Sequence, residues 1–116
     1  ALACSFGTTH GVYLSKPKLD FSVVEKVRAL ADIPVVMHGG SGVSKEDFGR
    51  AIQAGVRKIN YYTYMAMAGA GSVQEKLPAE SQKSISILYH DVVLWATEAM
   101  KENCKEAMRV FARKEE

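Results

Sequence analysis

Long apolar runs are missing from this sequence of 116 residues. None approaches the roughly 18 residues of a membrane-spanning helix, so neither a span nor a membrane partner is expected. An excess of one charge is missing too: 15 Lys and Arg face 13 Asp and Glu, for a net charge of +2. A nucleic-acid footprint needs a basic excess gathered on one face, so no nucleic-acid partner is expected. Cysteine is limited to Cys4 and Cys104, near opposite ends of the chain, which implies no disulfide framework. Two thiols and no secretory signal fit a reducing cytoplasm, the expected location. There is no low-complexity tract and no linker-like stretch, so a single domain over residues 1–116 is expected. What is present is ordinary globular material, 47% hydrophobic and 24% charged, which argues against a disordered chain.

Strand, loop and helix recur along the chain. Leu2 to Phe6 is short and apolar and reads as a strand, broken by Gly7-Thr8-Thr9-His10-Gly11. Asp20 is a good N-cap for a helix to about Ala31, with Phe21, Val24, Val27 and Leu30 on one side. Pro34 precedes Val35-Val36-Met37, a short strand of the buried type, and His38-Gly39-Gly40-Ser41-Gly42 follows it. Ser44 caps a second helix with Asp47 in a weak capping box, Phe48, Ala51 and Ile52 on its apolar face, and Gly55 in the left-handed closing position. Val56 to Tyr61 reads as a third strand, and Thr63 as the cap of a third helix toward Gln74, weakened by Gly69 and Gly71. Leu77 to Tyr89, with Pro78 and several serines, reads as an irregular connection. The last helix spans about Asp91 to Arg113, with apolar residues from Val92 to Phe111 at helical spacing.

Strands that alternate with helices imply βαβ units and a parallel sheet, so the fold class is α/β. Three such units and a long final helix are expected. A closed (β/α)8 barrel needs roughly 250 residues, which excludes a complete one here. Ala1 leads directly into an apolar strand, as if the chain were cut from a longer one.

Functional groups in parallel α/β folds gather at the carboxyl ends of strands. His10 and His38 stand at two such ends, each followed by glycine. Neutral imidazole is the commonest metal ligand, and zinc its frequent partner, although a histidine there also serves by bonding nearby backbone. Gly39-Gly40-Ser41-Gly42, between a strand and a helix, lets backbone amides approach an anion, and residues 60–63 occupy the equivalent place in the next unit. Phosphate sites in barrels are commonly built from two such consecutive loops. His90 follows a loop rather than a strand end and reads as solvent-facing or capping. Tyr61, Tyr62 and Tyr64 with Met65 and Met67 read mainly as packing. Lys58 shares a strand face with Asn60, and a strand lysine is able to form a Schiff base. Zinc chemistry, lysine chemistry and a non-catalytic phosphate-binding half-barrel all remain open from these residues alone.

Three ordered blocks carry a family resemblance. His10-Gly11-Val12-Tyr13, then residues 34–42 from Pro34 to Gly42, then Gly55-Val56-Arg57-Lys58-Ile59-Asn60 together resemble the class II, zinc-dependent fructose-bisphosphate and tagatose-bisphosphate aldolases. The resemblance covers most of the chain, including the helix around Ala99-Met100-Lys101. It implies the C-terminal part of a TIM (β/α)8 barrel, with about three βα units and the terminal helix. It also implies reversible cleavage of a ketose 1,6-bisphosphate to dihydroxyacetone phosphate and glyceraldehyde 3-phosphate. His10 and His38 match two of the family's three zinc-binding histidines. Gly11, Gly39, Gly40, Ser41, Asn60, Tyr61, Tyr62 and Thr63 match positions that hold the phosphorylated end of the substrate, and Asn60 also matches a catalytic position. Zn2+ is the implied cofactor, with a monovalent cation, Na+ or K+, near the phosphate. The third zinc histidine and the family's acid and base residues have no counterpart here, so the chain alone is expected to be inactive. Tyr62 stands where fructose-type members commonly have Asp, which leaves the sugar open. The expected partners are a small phosphorylated sugar and either further copies of the chain or the missing part of the barrel.

Overall fold

The computed structural model describes residues 1–83 and 86–113. Its elements run β1 (Leu2–Ala3), α1 (Phe21–Ala31), β2 (Val35–Met37), α2 (Lys45–Ala54), β3 (Val56–Ile59), α3 (Thr63–Ser81) and α4 (Tyr89–Phe111). The strands form one parallel sheet in the order β1-β2-β3, the parallel arrangement that alternating strands and helices imply. No helix among the described residues is long and apolar enough to cross a membrane.

Local chemistry sets most boundaries. The Asp20 carboxylate accepts from Ser22 N–H and starts α1, and the Ser44 hydroxyl accepts from Asp47 N–H and starts α2. Asp32 ends α1 in the left-handed region, which Asp tolerates better than most residues. Gly55 ends α2 at φ 135°, outside the left-handed helical well but still where only glycine is comfortable.

Several expected boundaries shift. β1 stops at Ala3 rather than Phe6, because the chain turns so that Phe6 enters the core and its carbonyl accepts from Asp20 N–H. β3 stops at Ile59, where its partner β2 ends, although one more bond, Asn60 N–H to Met37 O, continues the ladder. Thr63 is the first residue of α3 rather than its cap, and α3 runs through Pro78 to Ser81. Part of the connection expected at 77–89 is therefore helix, and residues 84 and 85 of it lie outside the described residues. The last helix starts at Tyr89, where Asp91 accepts from Leu88 N–H.

The sheet unit comprises residues 1–63 and the end of α4 from Arg109. Its core lies between one face of the sheet and the helices α1 and α2, with Val24, Val35 and Met37 fully buried. Burial of each such side chain contributes about 1.5–3 kcal/mol. Leu30, expected on the buried side of α1, is exposed. A series of i, i+3 steps slips about 60° per step against a 3.6-residue turn, so the fourth member faces away from the first. A second compact unit, Tyr64–Met108, holds most of α3 and α4. There Gly69 is buried, and a Cβ on it would meet Met100 Cγ at 2.8 Å, so the two helices approach closely.

Candidate active site at the strand ends

The loop after β1 is closed at its base by Asp20 N–H on Phe6 O. Its tip is held by Tyr13, whose hydroxyl accepts from Thr9 N–H at 2.9 Å and donates to Gly39 O at 2.9 Å. Gly39 has φ +64°, and a Cβ on it would sit 2.1 Å from Thr9 O, so the two loops meet backbone to backbone. This contact brings His10 to His38. His10 Nε2 lies 3.3 Å from His38 Nδ1, with the rings edge to face at 86°.

Asn60, just past β3, completes the group. Its Nδ2 lies 3.0 Å from His38 Nδ1 and 3.2 Å from His38 Nε2, against the edge of the ring between them. Its carbonyl accepts from Gly40 N–H, tying the loop after β3 to the loop after β2. A Cβ at Gly40 would lie 3.0 Å from Asn60 O and from Ile59 Cγ2, so glycine is what lets these loops pass.

Every sequence-expected site residue lines one open pocket of about 520 Å3: His10, Gly11, His38, Gly39, Gly40, Ser41, Asn60, Tyr61, Tyr62 and Thr63. Ile59 joins them. None of these side chains is a carboxylate, so nothing on this wall repels an anion. Ser41 is buried, while Tyr62 is largely exposed at the rim. Behind the histidines, a second cavity of about 320 Å3 adds Cys4, whose thiol burial pushes above its ordinary pKa. His90 sits on the exposed first turn of α4, 3.5 Å from Asp91. Lys58 is not part of the pocket wall and contacts Asn60 Oδ1 instead.

The histidine pair fits zinc as two ligands of a set. Zinc–nitrogen bonds of about 2.0–2.1 Å at a tetrahedral angle set ligand nitrogens about 3.3–3.4 Å apart, and His10 Nε2 and His38 Nδ1 have that separation. A catalytic zinc normally has three protein ligands. Among the described residues no group of three or more His, Cys, Asp or Glu gathers to hold a metal.

Sequence reasoning missed the bridging role of Tyr13. The only signal was an aromatic three residues after His10, and nothing local says that its hydroxyl will find a carbonyl 26 residues away.

Residues 1–116 match the model of the family described as "Fructose-bisphosphate aldolase class-II". The Escherichia coli (strain K12) protein YdjI, described as uncharacterized, is 44% identical over 75 residues, 65% of this chain and 27% of that protein. The crystal structure of the YdjI aldolase from Escherichia coli K12 superposes with a TM-score of 0.75 at 29% identity, covering 94% of this chain and 37% of that one. The fructose-bisphosphate aldolase (Fba) of Campylobacter jejuni superposes with a TM-score of 0.70 at 25% identity, covering 95% of this chain and 39% of that one. The chain thus spans between 27% and 39% of the length of these relatives.

Proposed function

The chain belongs to the class II fructose-bisphosphate aldolase family, and from that premise we propose that it is the C-terminal portion of a zinc-dependent ketose-bisphosphate aldolase barrel. The whole enzyme cleaves fructose 1,6-bisphosphate or tagatose 1,6-bisphosphate, reversibly, to dihydroxyacetone phosphate and glyceraldehyde 3-phosphate. Residues 1–116 act as one domain of it. The observation that carries this reading is the convergence of His10, His38 and Asn60 on one carboxylate-free, glycine-walled pocket at the strand ends.

His10 and His38 hold the metal. Zinc, when bound there, supplies a Lewis acid for the substrate's ketone oxygen. Asn60 Nδ2 donates to the oxygen on which negative charge grows as the carbon–carbon bond breaks, and such fixed donors favour the transition state over the ground state. Gly11, Gly39, Gly40, Ser41 and residues 61–63 hold the phosphate, whose binding energy orients the reacting carbons. Gly40 N–H already donates to Asn60 O, so Gly40 serves the phosphate by letting the chain pass close rather than by donating. A monovalent cation, Na+ or K+, would be held near the same phosphate-binding loops. The third histidine ligand and the groups that move protons belong to the rest of the barrel, supplied by the same polypeptide or by association.

The test is a coupled aldol-cleavage assay with both sugar bisphosphates, on the 116-residue chain and on the protein that contains it. The containing protein is expected to turn over, to lose activity to a chelator and to regain it with Zn2+. The isolated chain is expected to show no turnover. Chelator-resistant cleavage with borohydride trapping of substrate on Lys58 would replace zinc by lysine chemistry. Zinc-independent binding of phosphate esters with no turnover by either protein would leave a non-catalytic phosphate-binding module.

A further inference from the structure

We propose that Lys58 is a positioning residue for Asn60, orienting its amide so that Nδ2 rather than Oδ1 faces the substrate; this deepens the aldolase reading and rests on it.

The placement begins with a shift in strand register. Val35 pairs with Val56, but Val36 pairs with Lys58 and Met37 with Ile59. Arg57 therefore has no partner on β2, the arrangement of a β-bulge, which turns every later side chain to the opposite face. Val35, Met37 and Val56 are buried against the helices, with Ile59 packed beside them. Lys58 thus shares the other face with Val36, and Asn60 shares it with His38, which its side chain touches. Without the extra residue, Lys58 and Asn60 would point toward α1 and α2. Arg57 secures the bulge by donating from Nη1 to Val56 O at 2.8 Å and to Ile52 O at 2.7 Å.

On that face Lys58 Nζ contacts Asn60 Oδ1, while Asn60 Nδ2 turns to the His38 ring and the pocket. A primary amide has nearly the same shape in its two orientations, and only its partners decide between them. An ammonium group has donors and no acceptor, so it accepts only the orientation with Oδ1 toward it. The positive charge also polarises the amide and strengthens Nδ2–H as a donor.

The experiment uses the full protein with K58Q, K58R, N60A and the K58Q/N60A double variant. Loss of a fixed oxyanion donor typically lowers kcat by 10²–10³, so N60A is expected to fall about a hundredfold. K58Q is expected to lower kcat about tenfold with KM unchanged, K58R to recover most of that loss, and the double variant to match N60A, because Lys58 acts only through Asn60. Effects of K58Q and N60A that multiply, an unchanged kcat in K58Q, or a change confined to KM would each overturn the proposal. The Asn60 side-chain NH2 signal in a 15N correlation spectrum gives a reading without activity. K58Q is expected to shift it, and an unmoved signal overturns the contact even if the protein cleaves neither sugar bisphosphate. Absence of cleavage by wild type would overturn the aldolase reading instead.

Discussion

The Tyr13 hydroxyl donates to the Gly39 carbonyl at 2.9 Å, and that bond joins the loop carrying His10 to the strand end carrying His38. The same oxygen accepts from Thr9 N–H, so one hydroxyl satisfies two backbone groups and sets the spacing of two imidazoles.

Tyr13→Phe removes both bonds while keeping the ring. Leaving a partly buried donor or acceptor unpaired costs about 1–3 kcal/mol. Zinc affinity of the protein, measured by titration calorimetry, is expected to fall at least about tenfold. Equal affinity in the variant would show that the histidines meet without this bridge.

Gly39→Ala and Gly11→Ala separate steric from conformational cost. Both glycines have positive φ, +64° and +90°, but a Cβ at Gly39 meets Thr9 O at 2.1 Å and a Cβ at Gly11 meets nothing within 4 Å. Gly11→Ala is expected to cost about 1–2 kcal/mol from backbone strain alone. Gly39→Ala is expected to cost clearly more, because the loops must part. Urea unfolding midpoints check the order, and a reversed order would refute the close approach.

Phe48→Ala tests the core beneath the site. Phe48 is buried and meets Phe111 edge to face with ring centroids 4.8 Å apart. The substitution is expected to cost about 3–5 kcal/mol, read from the same unfolding curves. A loss below about 1 kcal/mol would mean that the ring is not packed as described.

Acid should weaken the cap of α1. The Ser22 hydroxyl, donating to the Asp20 carboxylate, holds that carboxyl below its ordinary value, and Ser22 N–H and Lys26 act the same way. A folded-state pKa that is lowered contributes stability fully present above the ordinary value of about 3.9 and lost as pH falls through the lowered one. The stability gap between wild type and Asp20→Ala is therefore expected at pH 7 and to narrow toward pH 2. A gap that is constant across that range would show that the charge of Asp20 contributes nothing.

Much of the fold could be read locally. The caps at Asp20 and Ser44 and the strand Val35–Met37 stand where hydrogen-bonding side chains, Pro34 and a short apolar run put them. Leu30 and Pro78 show the limit of such reading. Leu30 follows the i+3 spacing yet lies off the buried stripe, and Pro78 sits inside α3 instead of ending it. His10, His38 and the glycine-rich loop stood out as candidates because functional groups gather at strand ends in parallel α/β folds, whereas nothing near Tyr13 in the sequence marks its hydroxyl for Gly39 O.

The order of elements, the parallel sheet they imply and the two histidine-bearing strand ends follow from the sequence itself, because capping, apolar spacing and glycine's freedom act over a few residues. Tertiary structure alone decided the register shift at Arg57 and the meeting of Tyr13 with Gly39. Both depend on which backbone groups face one another across β2. That pairing decides which face Lys58 and Asn60 occupy, and no local preference of either side chain could.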